Sequence, residues 1–179
     1  KPQEKIQALR HLADKTRFAR DLEGALEVAK SALQDPDDLV LARAITTVGE
    51  LVGDEFWDLT EQTVFGRGLE VMRSFLTQVA KRSGETAAAI LRDRYREGPK
   101  AVRLLVIDVI EAHGTDSVFG TLVEALSGRD VPIRGRAAHA VSEMSRAGRV
   151  DAAHAIIWLL RSKDVNVRRV AAEIATRID

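Results

Sequence analysis

The sequence predicts an all-α protein, a right-handed α-solenoid of about five helical hairpins behind an N-terminal helix. A recurring apolar anchor is the first reason. Val40, Val71, Val102, Ile133 and Val167 follow one another at intervals of 31, 31, 31 and 34 residues. A fixed period of this length marks stacked supersecondary units. Composition is the second reason: 45% of residues are hydrophobic but only 4% aromatic, and Ala, Leu, Val and Arg are abundant. Such a chain fills its core with aliphatic side chains and favours helix. The 179 residues suffice for one domain, which as a compact body would bury roughly 70% of its unfolded surface.

Each anchor heads the second helix of a hairpin. At positions +4 and +8 from the anchors stand Ala44 and Val48, Phe75 and Val79, Val106 and Ile110, Ala137 and Val141, and Ala171 and Ala175. Together with +11 these positions lie within about 80° on a helical wheel, a single buried stripe. The first helices are expected within 22–33, 56–65, 87–95, 118–126 and 152–160, where apolar residues recur at helical spacing. Gly53, Gly66, Gly68, Gly84, Gly98, Gly114, Gly128 and Gly148 fall between helices, where a left-handed residue or a tight turn is wanted. Asp54, Thr115 and Asp151 are expected N-caps, and Pro36, Pro99 and Pro132 suit turns or first helical turns. One period before Val40 stands Leu9, followed by Arg10 and Ala13. Residues 3–19 therefore read as a lead-in helix, ahead of repeats at about 21–53, 54–83, 84–114, 115–148 and 150–179 of a single domain.

The repeat is clearest in Asp164, Val167, Arg168, Ala171 and Ala172, and again in Asp130, Ile133, Arg134, Ala137 and Ala138. A weaker copy runs through Val102 and Arg103 to Val106 and Ile107. An acidic turn, then Val-Arg, then paired small residues after a short amphipathic helix resembles the HEAT family, in particular the short bacterial form also found in bilin-lyase-type repeat proteins. The resemblance covers nearly the whole chain. It weakens at Met72 and Leu41, which stand where the family has Arg. What it implies is a structural ladder of Asp130, Arg134, Asp164, Arg168 and Arg103, in which turn Asp and helix Arg pair within or between repeats.

Charge excludes a global field. Net charge is zero, from 27 basic and 27 acidic residues, with a swing only from −3 in residues 1–90 to +3 in 91–179. An even balance argues against a nucleic-acid partner and against an anionic membrane surface. No cysteine is present, which removes disulfides, thiol catalysis and thiolate metal sites and fits a cytoplasmic protein. No apolar run approaches the ~18 residues of a membrane span. The chain begins at Lys1 rather than Met, and Val170, Ile174 and Ile178 line its last helix, a pattern compatible with part of a longer chain or assembly.

Function is therefore expected on the exposed face of the second helices, at +3, +6 and +10. These are Arg43, Thr46 and Glu50; Ser74, Thr77 and Lys81; Leu105, Asp108 and Ala112; Arg136, His139 and Glu143; and Val170, Glu173 and Arg177. Mixed charge interspersed with Thr, Ser and His suits a protein or peptide partner, whereas a phosphate backbone would favour an uninterrupted basic track. The expectation is a non-catalytic interaction scaffold with no cofactor and no metal. His11, His113, His139 and His154 are scattered over different repeats without ligand spacing. Asp35, Asp37 and Asp38 lack the calcium-loop spacing, and Gly66-Arg67-Gly68 lacks the third glycine of a dinucleotide site. The alternative is a HEAT-like nucleic-acid-binding protein or an alkylated-base glycosylase. That reading wants aromatics clustered in a basic groove, but Trp57 and Trp158 lie three repeats apart.

Overall fold

The structure, a computed structural model, describes residues 1–16, 22–149 and 151–176, with 14–16, 152, 154, 155, 158 and 174 described by their backbone alone. Among the described residues all regular structure is helical. The α-helices are α1 (Pro2–Thr16), α2 (Leu22–Ala32), α3 (Asp38–Leu51), α4 (Phe56–Thr60), α5 (Leu69–Ala80), α6 (Glu85–Glu97), α7 (Lys100–His113), α8 (Phe119–Ser127), α9 (Val131–Arg146), α10 (Ala152–Leu160) and α11 (Val165–Ala175). Short 3-10 turns follow α4 at Glu61–Val64 and precede α8 at Asp116–Val118.

Aspartates open the second helices α3, α9 and α11, because the first turn of a helix leaves backbone N–H groups without partners. Asp37 accepts from Leu39 N at 2.9 Å and Val40 N at 3.2 Å. Asp130 accepts from Ile133 N at 3.1 Å, and Asp164 from Asn166 N at 2.8 Å. Asp151 likewise takes Ala153 N at 2.9 Å ahead of α10. Two expected caps differ: Glu55, not Asp54, precedes α4, and neither it nor Thr115 makes a side-chain capping bond. The Thr115 hydroxyl is turned to Ser117 Oγ at 2.9 Å.

Helix ends divide into two kinds. At the end of α9, Gly148 has φ 64°, Gly148 N donates to Ser145 O and Arg149 N to Met144 O, each at 3.0 Å. That is the left-handed closure that favours glycine. Gly98 and Gly114 have φ of −74° and −67°, so left-handedness is not why they are glycine. A Cβ at Gly98 would lie 2.5 Å from Arg94 O, and one at Gly114 would lie 2.6 Å from Ile110 O. There the chain passes too close to the preceding helix for a side chain.

The described chain groups into two compact units, Lys1–Gln78 and Val79–Asp179. In the first, α1 and α2 both pack on α3. Ile6, Leu9 and Ala13 of α1 and Ala25 and Ala29 of α2 are buried together with Val40, Leu41, Ala44, Ile45 and Val48 of α3. The buried Thr47 hydroxyl is satisfied by Arg43 O at 3.0 Å and Leu9 O at 3.4 Å. Phe56 of α4 stacks on Phe75 of α5 with ring centroids 5.8 Å apart.

In the second unit α6 packs on α7, α8 on α9 and α10 on α11, while α7 lies against α9 and α10 and α11 both touch α9. Among the described residues each hairpin packs chiefly on its neighbours, the packing logic of an α-solenoid. Its core holds Leu91, Val102, Val106, Ile110, Leu122, Ile133, Ala137, Val141 and Met144.

All five anchors are buried, at no more than 8% exposure, and so are the +4 residues. At +8, Ala175 is exposed, because α11 has no helix beyond it among the described residues. At +11, among the described residues, only Met144 is buried; Leu51 and Arg82 are half-buried and His113 is exposed. The angle is right at +11, but α3, α5 and α7 are ending there. Burial extends instead to +7, through Thr47, Gln78, Val109 and Ala140, because a second helix is covered by its own partner and by an adjacent second helix.

Candidate partner-binding face

The polar edge of α7 and α9 carries the densest side-chain network. Asp108 and Glu111 lie one turn apart on α7, and Arg136 and His139 one turn apart on α9, so each pair projects from one side of its helix. Arg136 Nε donates to Asp108 Oδ1 at 2.7 Å, and its Nη1 donates to Glu111 Oε2. The same Nη1 lies 3.0 Å from His139 Nδ1, which in turn lies 3.4 Å from Glu111 Oε2. One guanidinium therefore joins two carboxylates and an imidazole. Partial burial works against the Arg136 charge, but the bonds to Glu111 and Asp108 outweigh it and hold the guanidinium above its ordinary range. His139 stays 59% exposed and Asp108 37%, so this network is reachable from solvent.

Beside it runs a depression between α9 and α11. Its walls include Gly135, Ala138, His139, Ser142 and Glu143 on one side and Val170 and Glu173 on the other. Glu143 accepts from Arg146 Nη1 at 2.7 and 2.9 Å on the outer rim. Two carboxylates thus flank a bed of small apolar residues.

Of the positions expected to bind a partner, Asp108, Arg136 and His139 are drawn together by direct bonds, and Glu143 and Glu173 line the adjoining depression. Leu105 is a correction: at 3% exposure it belongs to the core, because +3 lies only about 40° from the buried +7 stripe. Val170 is half-buried and Ala112 exposed. In the first unit Arg43 is half-buried with its Nε enclosed and unpartnered, the Thr46 hydroxyl is used by Ala42 O at 3.0 Å, and Glu50 is exposed. Ser74 and Thr77 on α5 are half-buried, and Lys81 just beyond it is exposed. Arg177 lies outside the described residues, as do the side chains of His154 and Trp158. Trp57 packs edge-on against Phe56 at 5.4 Å, a core-rim contact and not an open stacking platform. The residue missed by sequence reasoning is Glu111, whose only signal was its one-turn spacing from Asp108.

The ladder is built differently from the expected Asp–Arg pairing. Arg103 Nε donates to Gly98 O at 2.9 Å, Arg134 Nη1 to Gly128 O at 2.8 Å, and Arg168 Nη1 to Ser162 O at 2.9 Å and Lys163 O at 3.0 Å. Each arginine clasps the carbonyls of the turn before its helix, while Asp130 and Asp164 cap the helix starts. Among the described residues neither Asp130 with Arg134 nor Asp164 with Arg168 forms an ion pair. The carbonyls win because a helix end leaves acceptors unsatisfied within reach of the guanidinium. Asp130 pairs with Lys100 at 2.9 Å, 30 residues away.

Among the described residues no group of three or more His, Asp or Glu side chains could hold a metal ion, and no helix is long and apolar enough to cross a membrane. No protein-family model matches the chain, and no curated protein matches it. Among solved structures, an engineered protein aligns at 18% identity, covering 99% of this chain and 91% of that one, with a TM-score of 0.44. A designed armadillo repeat protein aligns at 16% identity over 99% of this chain and 94% of its own, with a TM-score of 0.41.

Proposed function

We propose that this protein is a non-catalytic, HEAT-like binding scaffold that engages a protein or peptide partner on the face of its second helices, centred on α7 and α9. The observation that carries the reading is the Asp108–Arg136–Glu111–His139 network, polar and reachable on the face of the second helices. Arg136 commits both carboxylates as hydrogen-bond acceptors, which suits recognition better than proton transfer to a substrate. Counting Glu143 and Glu173, acidic groups outnumber basic ones around this network, and a phosphate backbone would meet repulsion there. The partner is thus expected to be polypeptide.

The test is affinity capture with the intact chain against a variant combining Arg136→Gln, His139→Ala and Glu143→Ala, with circular dichroism confirming that both are folded at the assay temperature. The captured proteins should be lost with the triple change. Undiminished capture by a folded variant would place the binding surface elsewhere.

A further inference from the structure

The depression between α9 and α11 combines a small apolar floor with a pair of carboxylates. Gly135, Ala138 and Val170 line the floor, and Glu143 and Glu173 line the same space toward one end. Gly135 lies inside α9, where glycine is a poorer helix former than alanine. A Cβ built there meets no atom within 4 Å. Packing within the fold does not demand a glycine at this position, and without a side chain there the floor stays open to another molecule. The cations nearest that end leave it negative: Arg146 holds Glu143 only through an exposed contact three residues along the same helix, the kind of pair that contributes little. Arg134 is tied to Gly128 O at 2.8 Å and Arg169 to Asn166 Oδ1 at 3.1 Å, both toward the helix starts.

The same floor has Arg134 and Arg169 toward the helix starts and Glu143 and Glu173 toward the other end, and the carboxylate end matches one class of side chain, a long aliphatic stem with a cationic head. We propose that this depression receives a lysine or arginine from an extended segment of a partner protein, its stem along Gly135, Ala138 and Val170 and its charge beside Glu143 and Glu173. The proposal rests on the reading of the second-helix face as the binding surface, and it names what one part of that face selects. A glutamate or phosphate at the same place would meet two like charges.

Three blocked pentapeptides identical except for a central arginine, lysine or glutamate serve as probes, added at millimolar concentration to the intact chain while backbone amide NMR shifts are followed. The arginine and lysine peptides should move the amides of 135–143 and 170–173, and the glutamate peptide should not. Gly135→Leu places its Cβ where no atom lies within 4 Å and removes a poor helix former, so its melting temperature should match or exceed that of the parent. That variant and the pair Glu143→Gln with Glu173→Gln should each weaken the response by about threefold or more. Equal shifts with the glutamate peptide, or responses that survive in both variants, overturn the proposal. If the basic peptides instead move only Asp108, Glu111 and Ala112 on α7, the depression is wrong and the face stands. If no peptide moves α7, α9 or α11, both readings fall.

Discussion

Arg134 Nη1 donates to the carbonyl oxygen of Gly128 at 2.8 Å, joining the start of α9 to the turn that leaves α8. Arg103 and Arg168 make the same kind of bond to Gly98 O and Ser162 O, each at 2.9 Å. The most regular polar residue of the repeat therefore sets the angle between the two helices of a hairpin. A charged donor on a carbonyl at a helix end also opposes the partial negative charge that collects there. Replacing Arg134 or Arg168 with Met keeps most of the stem packing and removes the bond, and each change should cost about 1–2 kcal/mol in urea unfolding. Arg168→Lys should recover less than half of that loss, since both bonds leave Nη1 and the lysine ammonium ends one atom short of that position. Loss-free Met variants would mean the clasp is ornamental to the hairpin.

The first repeat supports this reading because it lacks the arginine. Position +1 is Leu41, fully buried, and the hairpin turn before it is instead clasped from the following loop. Arg67 Nη1 donates to Pro36 O at 3.2 Å and to Asp38 Oδ1 at 3.1 Å, and its Nη2 reaches Asp35 O at 3.4 Å. Gly68 N adds a bond to Asp38 Oδ2 at 2.9 Å. Gly66-Arg67-Gly68, which in sequence read only as a loop, places a guanidinium on a turn left without its own.

Such substitutions mark where sequence is informative and where it is not. The anchors Val40, Val71, Val102, Ile133 and Val167 were legible because burial on a helix follows a local period that any residue type reports. The acceptors of Arg103, Arg134 and Arg168 were not, since every residue carries a carbonyl and only the turn geometry decides which one is in reach. The same holds for the site. Asp108, Arg136 and His139 were assigned to one face by their positions, but their meeting with Glu111 depends on how α7 and α9 are rotated against each other. That rotation is set by the contacts of side chains 25 to 28 residues apart, which no local pattern encodes.

Gly49 shows a helix contact that sequence would have undervalued. A Cβ there would sit 2.6 Å from Gln78 Cγ, Cδ and Oε1, and Gln78 is 2% exposed. In an open helix Gly→Ala gains up to about 1 kcal/mol. Here the new methyl must displace a buried side chain, and Gly49→Ala should instead destabilise by about 1–3 kcal/mol. Trimming the obstacle should recover part of this, so Gly49→Ala combined with Gln78→Ala should be less unstable than the sum of the single changes. Additive losses in urea unfolding would show that the two residues do not touch.

Acid should weaken the fold in two separable stages, both with the same sign. Burial of part of its ring, and then the charges of Lys81 and Arg149, hold His113 below its ordinary value of 6.5. A depressed histidine contributes stability that is whole above the unfolded value and is lost as pH falls through the folded one. The unfolded chain, not the folded one, takes up the proton first. Asp35 and Asp130 follow at lower pH. The hydrogen bond from Lys5, and then the Asp37 N–H, lower Asp35 below its ordinary 3.8, and Lys100 with the Ile133 N–H does the same for Asp130. Their contribution is intact above 3.8 and disappears as pH falls toward the depressed values. Urea midpoints measured from pH 8 down to pH 3 should therefore decline first below about 6.5 and again below about 3.8. His113→Gln should flatten the first decline and leave the second, and Asp35→Asn with Asp130→Asn should do the reverse. A His113→Gln profile parallel to the parent through the first window would show that the imidazole titrates alike in the folded and unfolded chains, and that the cations facing it leave no mark on stability.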